Sequence, residues 1–179
     1  MDLYPKEFIQ YLVHFHGDRD YFECHEILEE YWKQTDFGNK DSIWVGFIQL
    51  AVSNYHHRRG NFEGAKKTMK KALSIFLSKE PFIIKLGLDS QSFLVMLYER
   101  LAIIEQNKAY KSINLPINDH SLLNQCKFIC EQSKYIWGNN SDLTKLHILH
   151  RHKLRDRASV IQERNSAKQI KKTRRLASP

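Results

Sequence analysis

Apolar stripes at helical spacing, interrupted at only a few breaker-rich points, constrain this chain more than any other feature. Phe8, Ile9, Leu12 and Phe15 recur at that spacing behind Pro5, a residue suited to a first helical position. "HGDRD" ends this helix, with Gly17 expected at C′ and Asp18 or Asp20 as the cap of the next. The same reasoning predicts helices over 21–35, 42–59, 62–77, 91–107 and 121–137, plus a last one starting near Ser141 or Asp142. "DFGNKDS", Gly60–Asn61, "SKEP" and "GNNSD" separate them, and "YKSINLPIND" reads as an extended connector because Pro116 disfavours helix before it. No segment alternates with a period of two. The expected fold is all-α: a bundle of about six to seven helices, with 1–80 as a first helical domain, 81–140 as helices packed on it and 141–179 as a basic helix and tail.

The segment around Gly60 is more specific. "NYHHRRGNFEGAKKTMKKAL" places two helices on either side of Gly60–Asn61, with small residues at Ala65 and Ala72. It resembles the inner turn of a tetratricopeptide hairpin, in which small residues let antiparallel helices approach closely. No second copy at that repeat's period is visible.

Composition narrows the class. With 42% apolar and 12% aromatic residues the chain can build a packed core. "MDLYPKEF" lacks the basic start and apolar run of a signal peptide, and apolar runs of about five residues, such as "FLVML", fall far short of a membrane span. Cys24, Cys126 and Cys130 form no disulfide framework. A cytoplasmic location is expected.

The net charge of +8 is uneven: residues 142–179 hold eleven Lys or Arg against three Asp or Glu, and the remainder is neutral. Arg151, Arg155, Arg157, Lys171, Lys172, Arg174 and Arg175 are the candidate anion-binding residues. Binding to nucleic acid, docking on an acidic protein and a solvated tail without a dedicated partner all fit this composition.

Chemistry concentrates in "FECHEILEEYW" and the helix after it. On a wheel of roughly 100° per residue, His25 falls near the middle of an apolar face shared with Tyr21, Phe22, Leu28 and Trp32, and Glu29 and Glu26 lie toward its margin. On the next helix Gln49 and His56 share one face. Unpartnered buried polar groups cost about 1–3 kcal/mol each, so the expectation is a shared polar seam of His25, Glu29, Gln49 and His56, walled by Trp32. The seam could be a structural network, a ligand pocket, or a metal-assisted hydrolase site using His25, Glu29 and His56. No nucleophile, phosphate loop or complete metal-ligand set is visible, so no catalytic residue, metal or cofactor is assigned.

Phe22, His25, Glu26, Leu28, Glu29 and Trp32 form FxxHExLExxW, followed by Gly46, Ile48, Gln49, Ala51, Tyr55 and His56, and then by "RGNFEGA". Together these motifs resemble domain-of-unknown-function family number 309, over about residues 4–77. The resemblance implies a compact helical domain in which His25, Glu26, Glu29, Trp32, Gln49, Tyr55, His56, Gly60 and Asn61 are signature positions. It implies no activity. The role expected is binding or scaffolding.

Overall fold

A computed structural model describes residues 3–151 of the chain. Two units are distinguished, Met1–Leu149 and His150–Pro179. The first is all-α, with eight helices among the described residues: α1 (Lys6–His16), α2 (Tyr21–Thr35), α3 (Ile43–Arg58), α4 (Phe62–Ser78), α5 (Glu80–Lys85), α6 (Ser90–Glu105), α7 (His120–Gln132) and α8 (Leu146–Leu149). No helix among these residues is long and apolar enough to cross a membrane.

Short polar side chains start most of these helices by accepting an otherwise orphaned backbone N–H. Asp20 accepts from Glu23, Asn61 from Gly64, Asp89 from Ser92 and Asp119 from Leu122. The connector after α6 is extended as expected, and an isolated antiparallel bridge joins Leu88 to Ile117.

Three local expectations need correction. "SKEP" does not simply end α4: α5 follows at once, because proline is tolerated in a first turn, where its missing N–H is not needed. The helix expected to reach Trp137 stops at Gln132, and Lys134 takes a positive φ of 60°. Packing explains the early stop, since Tyr135 lies beside α1 and the Trp137 ring stacks on His16 at 4.2 Å. Gly17 is not in the left-handed region; its φ is −86° and Arg19 takes the positive φ, 58°. Glycine is required there for closeness, because a Cβ would sit 3.0 Å from Tyr135 Cβ and 2.7 Å from the Val13 carbonyl oxygen.

At the centre of the core lies Phe47 on α3. Its ring meets Phe8 of α1 at 5.2 Å, Phe76 of α4 at 4.9 Å and Phe93 of α6 at 6.0 Å. The Tyr11 hydroxyl, fully buried, donates to the Phe47 carbonyl at 3.0 Å. One aromatic of α3 thus joins four helices, and truncating such a side chain costs about 3–5 kcal/mol.

α3 and α4 form the expected antiparallel hairpin. Gly60 turns the chain with φ of 72°. A Cβ on Gly46 would lie 3.0 Å from the Phe76 ring, and one on Gly64 3.0 Å from the His56 ring. The early part of α3 therefore faces the late part of α4, and its end faces the start of α4. Ser53 seals the interface by donating to the Ala65 carbonyl at 2.8 Å.

Candidate functional site

α2 buries Tyr21, Cys24 and Leu28 completely. That face is centred closer to Cys24 than the wheel suggested, because the Cys24 thiol sits against the Tyr11 carbonyl of α1 at 3.5 Å. Burial pushes this thiol's pKa well up, so it packs as an apolar group. His25 is consequently rotated to the edge of the face, with its side chain 27% exposed. The Phe22 ring lies beside it at 6.3 Å, nearly parallel.

At that edge His25 gathers two carboxylates of its own helix. Nδ1 is 3.0 Å from Glu26 Oε1, and Nε2 is 3.3 Å from Glu29 Oε2. Lys33 Nζ adds a contact to the other Glu29 oxygen at 3.1 Å. The i, i+4 spacing of His25, Glu29 and Lys33 puts all three on one helical stripe. His25, Glu26 and Glu29 each offer a ligand atom, and the three atoms lie within 4.8 Å of one another.

The other expected members of the seam lie elsewhere. His56, at the end of α3, meets the Asn61 amide at 3.1 Å across the hairpin turn, and Asn61 in turn caps α4. Gln49 is half-buried on α3. Trp32 donates its indole N–H to the Asn39 carbonyl at 3.0 Å, pinning the loop after α2. His25 thus pairs with Glu26 and Glu29 along α2, and His56 bonds to Asn61 at the hairpin. Gly60 and Asn61 form the hairpin turn as expected. Arg151 is exposed, while Arg155, Arg157, Lys171, Lys172, Arg174 and Arg175 lie outside the described residues.

A cleft of about 400 Å³ opens at the other end of α3, between Trp44, Ile43 and Asn39 on one side and Lys79, Phe82 and Leu86 on the other. Its walls are largely apolar, and the helix cap Ser42 reaches it.

The buried polar groups that sequence reasoning missed cluster at a corner formed by the ends of α1 and α3, α6 and the connector. Arg19, only 1% exposed, donates to the Phe15 carbonyl at 2.8 Å, the Ile113 carbonyl at 2.6 Å, the Asn114 side chain at 2.6 Å and the Asn139 carbonyl at 2.7 Å. His16 is fully buried between the Leu12 carbonyl at 2.8 Å and the Leu115 N–H at 2.9 Å. Burial lowers its pKa to about 3, so the ring is neutral. It donates from Nδ1 and accepts at Nε2. The buried imidazole at the end of α3 is His57, not His56; its Nε2 meets the Lys108 carbonyl at 2.9 Å. Arg100 completes the corner at 3% exposure. One of these carried a signal in the sequence: Arg100 is a charge on the stripe of Phe93, Leu97 and Ile104.

Comparison with known proteins finds relatives of the chain. Residues 8–68 match the family described as Domain of unknown function (DUF309), a segment running from α1 into α4. The uncharacterized protein YpuF of Bacillus subtilis (strain 168) is 48% identical over 162 residues, which cover 90% of this chain and 93% of the relative. No solved structure matches. With its motifs in place on α2, α3 and the hairpin, the chain belongs to the DUF309 family.

Proposed function

We propose that this protein is a cytoplasmic binding module, and that its recognition element is the edge of α2 carrying His25, Glu26 and Glu29. The observation behind this reading is the convergence of one imidazole and two carboxylates to within 4.8 Å at a half-exposed position. One nitrogen and two oxygen donors suit a divalent transition-metal ion. The Phe22 ring beside His25 and Lys33 on Glu29 border the donor set that a partner would meet. Three free, buried thiols support a reducing compartment.

Binding is favoured over metal-assisted hydrolysis because His56, the second histidine that chemistry would draw on, bonds across the hairpin at Asn61 and is not part of the trio. Calorimetry with Zn²⁺ or Mn²⁺ tests the reading. One equivalent should bind the full chain, and Glu29→Gln and Glu26→Gln should each weaken binding by roughly tenfold or more. Absence of binding, or affinity unchanged in both variants, rejects it.

The charge surplus of the last 38 residues supports a second reading, an accessory role in nucleic-acid or acidic-protein binding through the tail. A chain ending at Arg151 should lose salt-sensitive binding to a generic duplex. Cutting there spares Ser141, whose backbone N–H donates to Ser112 at 2.8 Å. Binding that survives the cut would shift attention to Lys66, Lys67, Lys70 and Lys71 of α4.

A further inference from the structure

Two arginines of the corner, buried Arg100 and half-buried Arg58, form no ion pair among the described residues. Arg100 Nη2 donates to the Lys111 carbonyl at 2.7 Å, while its Nε and Nη1 are buried and have no hydrogen-bond partner. Arg58 Nη1 donates to the Arg19 carbonyl at 2.7 Å and to Ser141 Oγ at 3.3 Å, and its Nε and Nη2 are likewise buried and unpartnered. None of the ion pairs among the described residues involves an arginine. Burying a guanidinium costs several kcal/mol unless it is paired and its donors are satisfied. Cation–π contacts, Arg58 over Tyr21 at 4.8 Å and Arg100 over Tyr110 at 5.8 Å, offset only part of this.

The two arginines are tied to a single hydroxyl cluster. The Tyr21 and Tyr110 hydroxyls are hydrogen-bonded to each other, and Tyr110 OH lies 3.1 Å from the same Ser141 Oγ that Arg58 reaches. His57 packs edge-on against the Tyr110 ring at 5.6 Å, with its Nδ1 buried and unpartnered. The place therefore holds two cations, unused N–H donors on both, and rotatable hydroxyls. Tyr110, Ser141 and Arg58 are half-buried at its rim, above the sealed Arg100.

We infer that this corner is an oxyanion site, in which Arg58 and Arg100 take a phosphate group with Tyr110 and Ser141 as neutral hydroxyl donors. Unsatisfied guanidinium donors in a low-dielectric setting are the groups that bind phosphate most strongly, since each N–H···O⁻ bond is charge-assisted. Carboxylates alone would be poorer ligands, offering two oxygens to four free guanidinium nitrogens. The site is independent of the metal reading: its residues come from the ends of α2 and α3, from α6 and from the loops at 110 and 141.

Titration of the full-length chain with inorganic phosphate at constant ionic strength, followed by calorimetry and ³¹P NMR, decides the matter. A saturable one-to-one isotherm is expected, together with a phosphate-dependent rise in Tm that exceeds the rise in chloride of equal ionic strength. Arg58→Gln should weaken binding by roughly tenfold or more. Arg100 is sealed in the core, so the half-buried Arg58 and a Tyr110→Phe variant carry the test. A second arm with a phosphomonoester separates free phosphate, which the pocket would take alone, from an esterified group entering at the rim. No saturable binding of either ligand at millimolar concentration overturns the proposal. So does binding that Arg58→Gln leaves unchanged, which would assign it to the basic tail.

Discussion

The edge of α2 and the corner around Arg19 use polar residues in opposite ways. On α2, His25, Glu26, Glu29 and Lys33 are close in sequence, partly exposed and paired with one another. At the corner, His16, Arg19, His57, Arg58 and Arg100 are scattered over 85 positions, largely buried, and bonded mostly to backbone carbonyls. A recognisable motif marks the first; of the second, only Arg100 stands out in the sequence, as a charge on an apolar stripe, and packing reveals the rest. The conspicuous polar cluster is therefore expected to contribute little to stability, and the buried hydrogen bonds of the inconspicuous one to contribute more.

The largest test of that contrast is Arg19→Met. It removes four hydrogen bonds, one of them to the buried Phe15 carbonyl and two to the Ile113 and Asn139 carbonyls, so urea unfolding should show a loss of about 3–5 kcal/mol. A loss below about 1 kcal/mol, the range of an exposed pair, would break the comparison.

Acid should come next. The folded chain leaves His16 unprotonated until the pH nears 3, whereas the unfolded chain protonates it below its ordinary 6.5. Folding therefore competes with proton uptake, and stability falls as pH drops below 6.5, by roughly 1.4 kcal/mol per pH unit from this group alone. His14 works in the opposite sense: burial by itself would lower its pKa, but the bonded Asp18 carboxylate outweighs it and raises it. Its contribution is present below 6.5 and lost as pH rises through the raised value. Urea midpoints of the parent and His16→Gln across pH 4–7 should converge toward acid. Parallel curves would show that His16 is not the titrating group.

A smaller effect is expected at the hydroxyl cluster. Tyr110→Phe keeps the ring against His57 and Arg100 but drops the hydroxyl from Tyr21 and Ser141, for a loss of about 1–2 kcal/mol by thermal unfolding. Smallest of all, His25→Gln should cost less than about 1 kcal/mol, because its partners are partly solvated. A His25→Gln loss as large as that of Arg19→Met would erase the distinction between the two regions.

The helices were legible because their stripes, caps and breakers all pointed to the same boundaries. α2 begins and ends where Asp20 and the loop after Thr35 place it. Packing decided what periodicity could not. Trp137 left its helix to stack on His16, and α5 formed across a proline that reads as a stop. The donor trio was half legible. Spacing put His25 and Glu29 together, but a wheel drawn through Tyr21, Phe22 and Trp32 could not weigh Cys24, whose contact with α1 sets the true inward direction. Arg19 gave no signal, because an arginine in "HGDRD" reads as turn polarity and its acceptors lie far along the chain.

That distance has a consequence for synthesis. A nascent chain that has emerged only through α4 already contains residues 8–68, the segment by which the family is recognised. It offers Arg19 the Phe15 carbonyl and none of its other three acceptors, which arrive with Ile113, Asn114 and Asn139. The corner can close only once the later helices leave the ribosome, so the first four helices wait on the rest of the chain to reach their final packing.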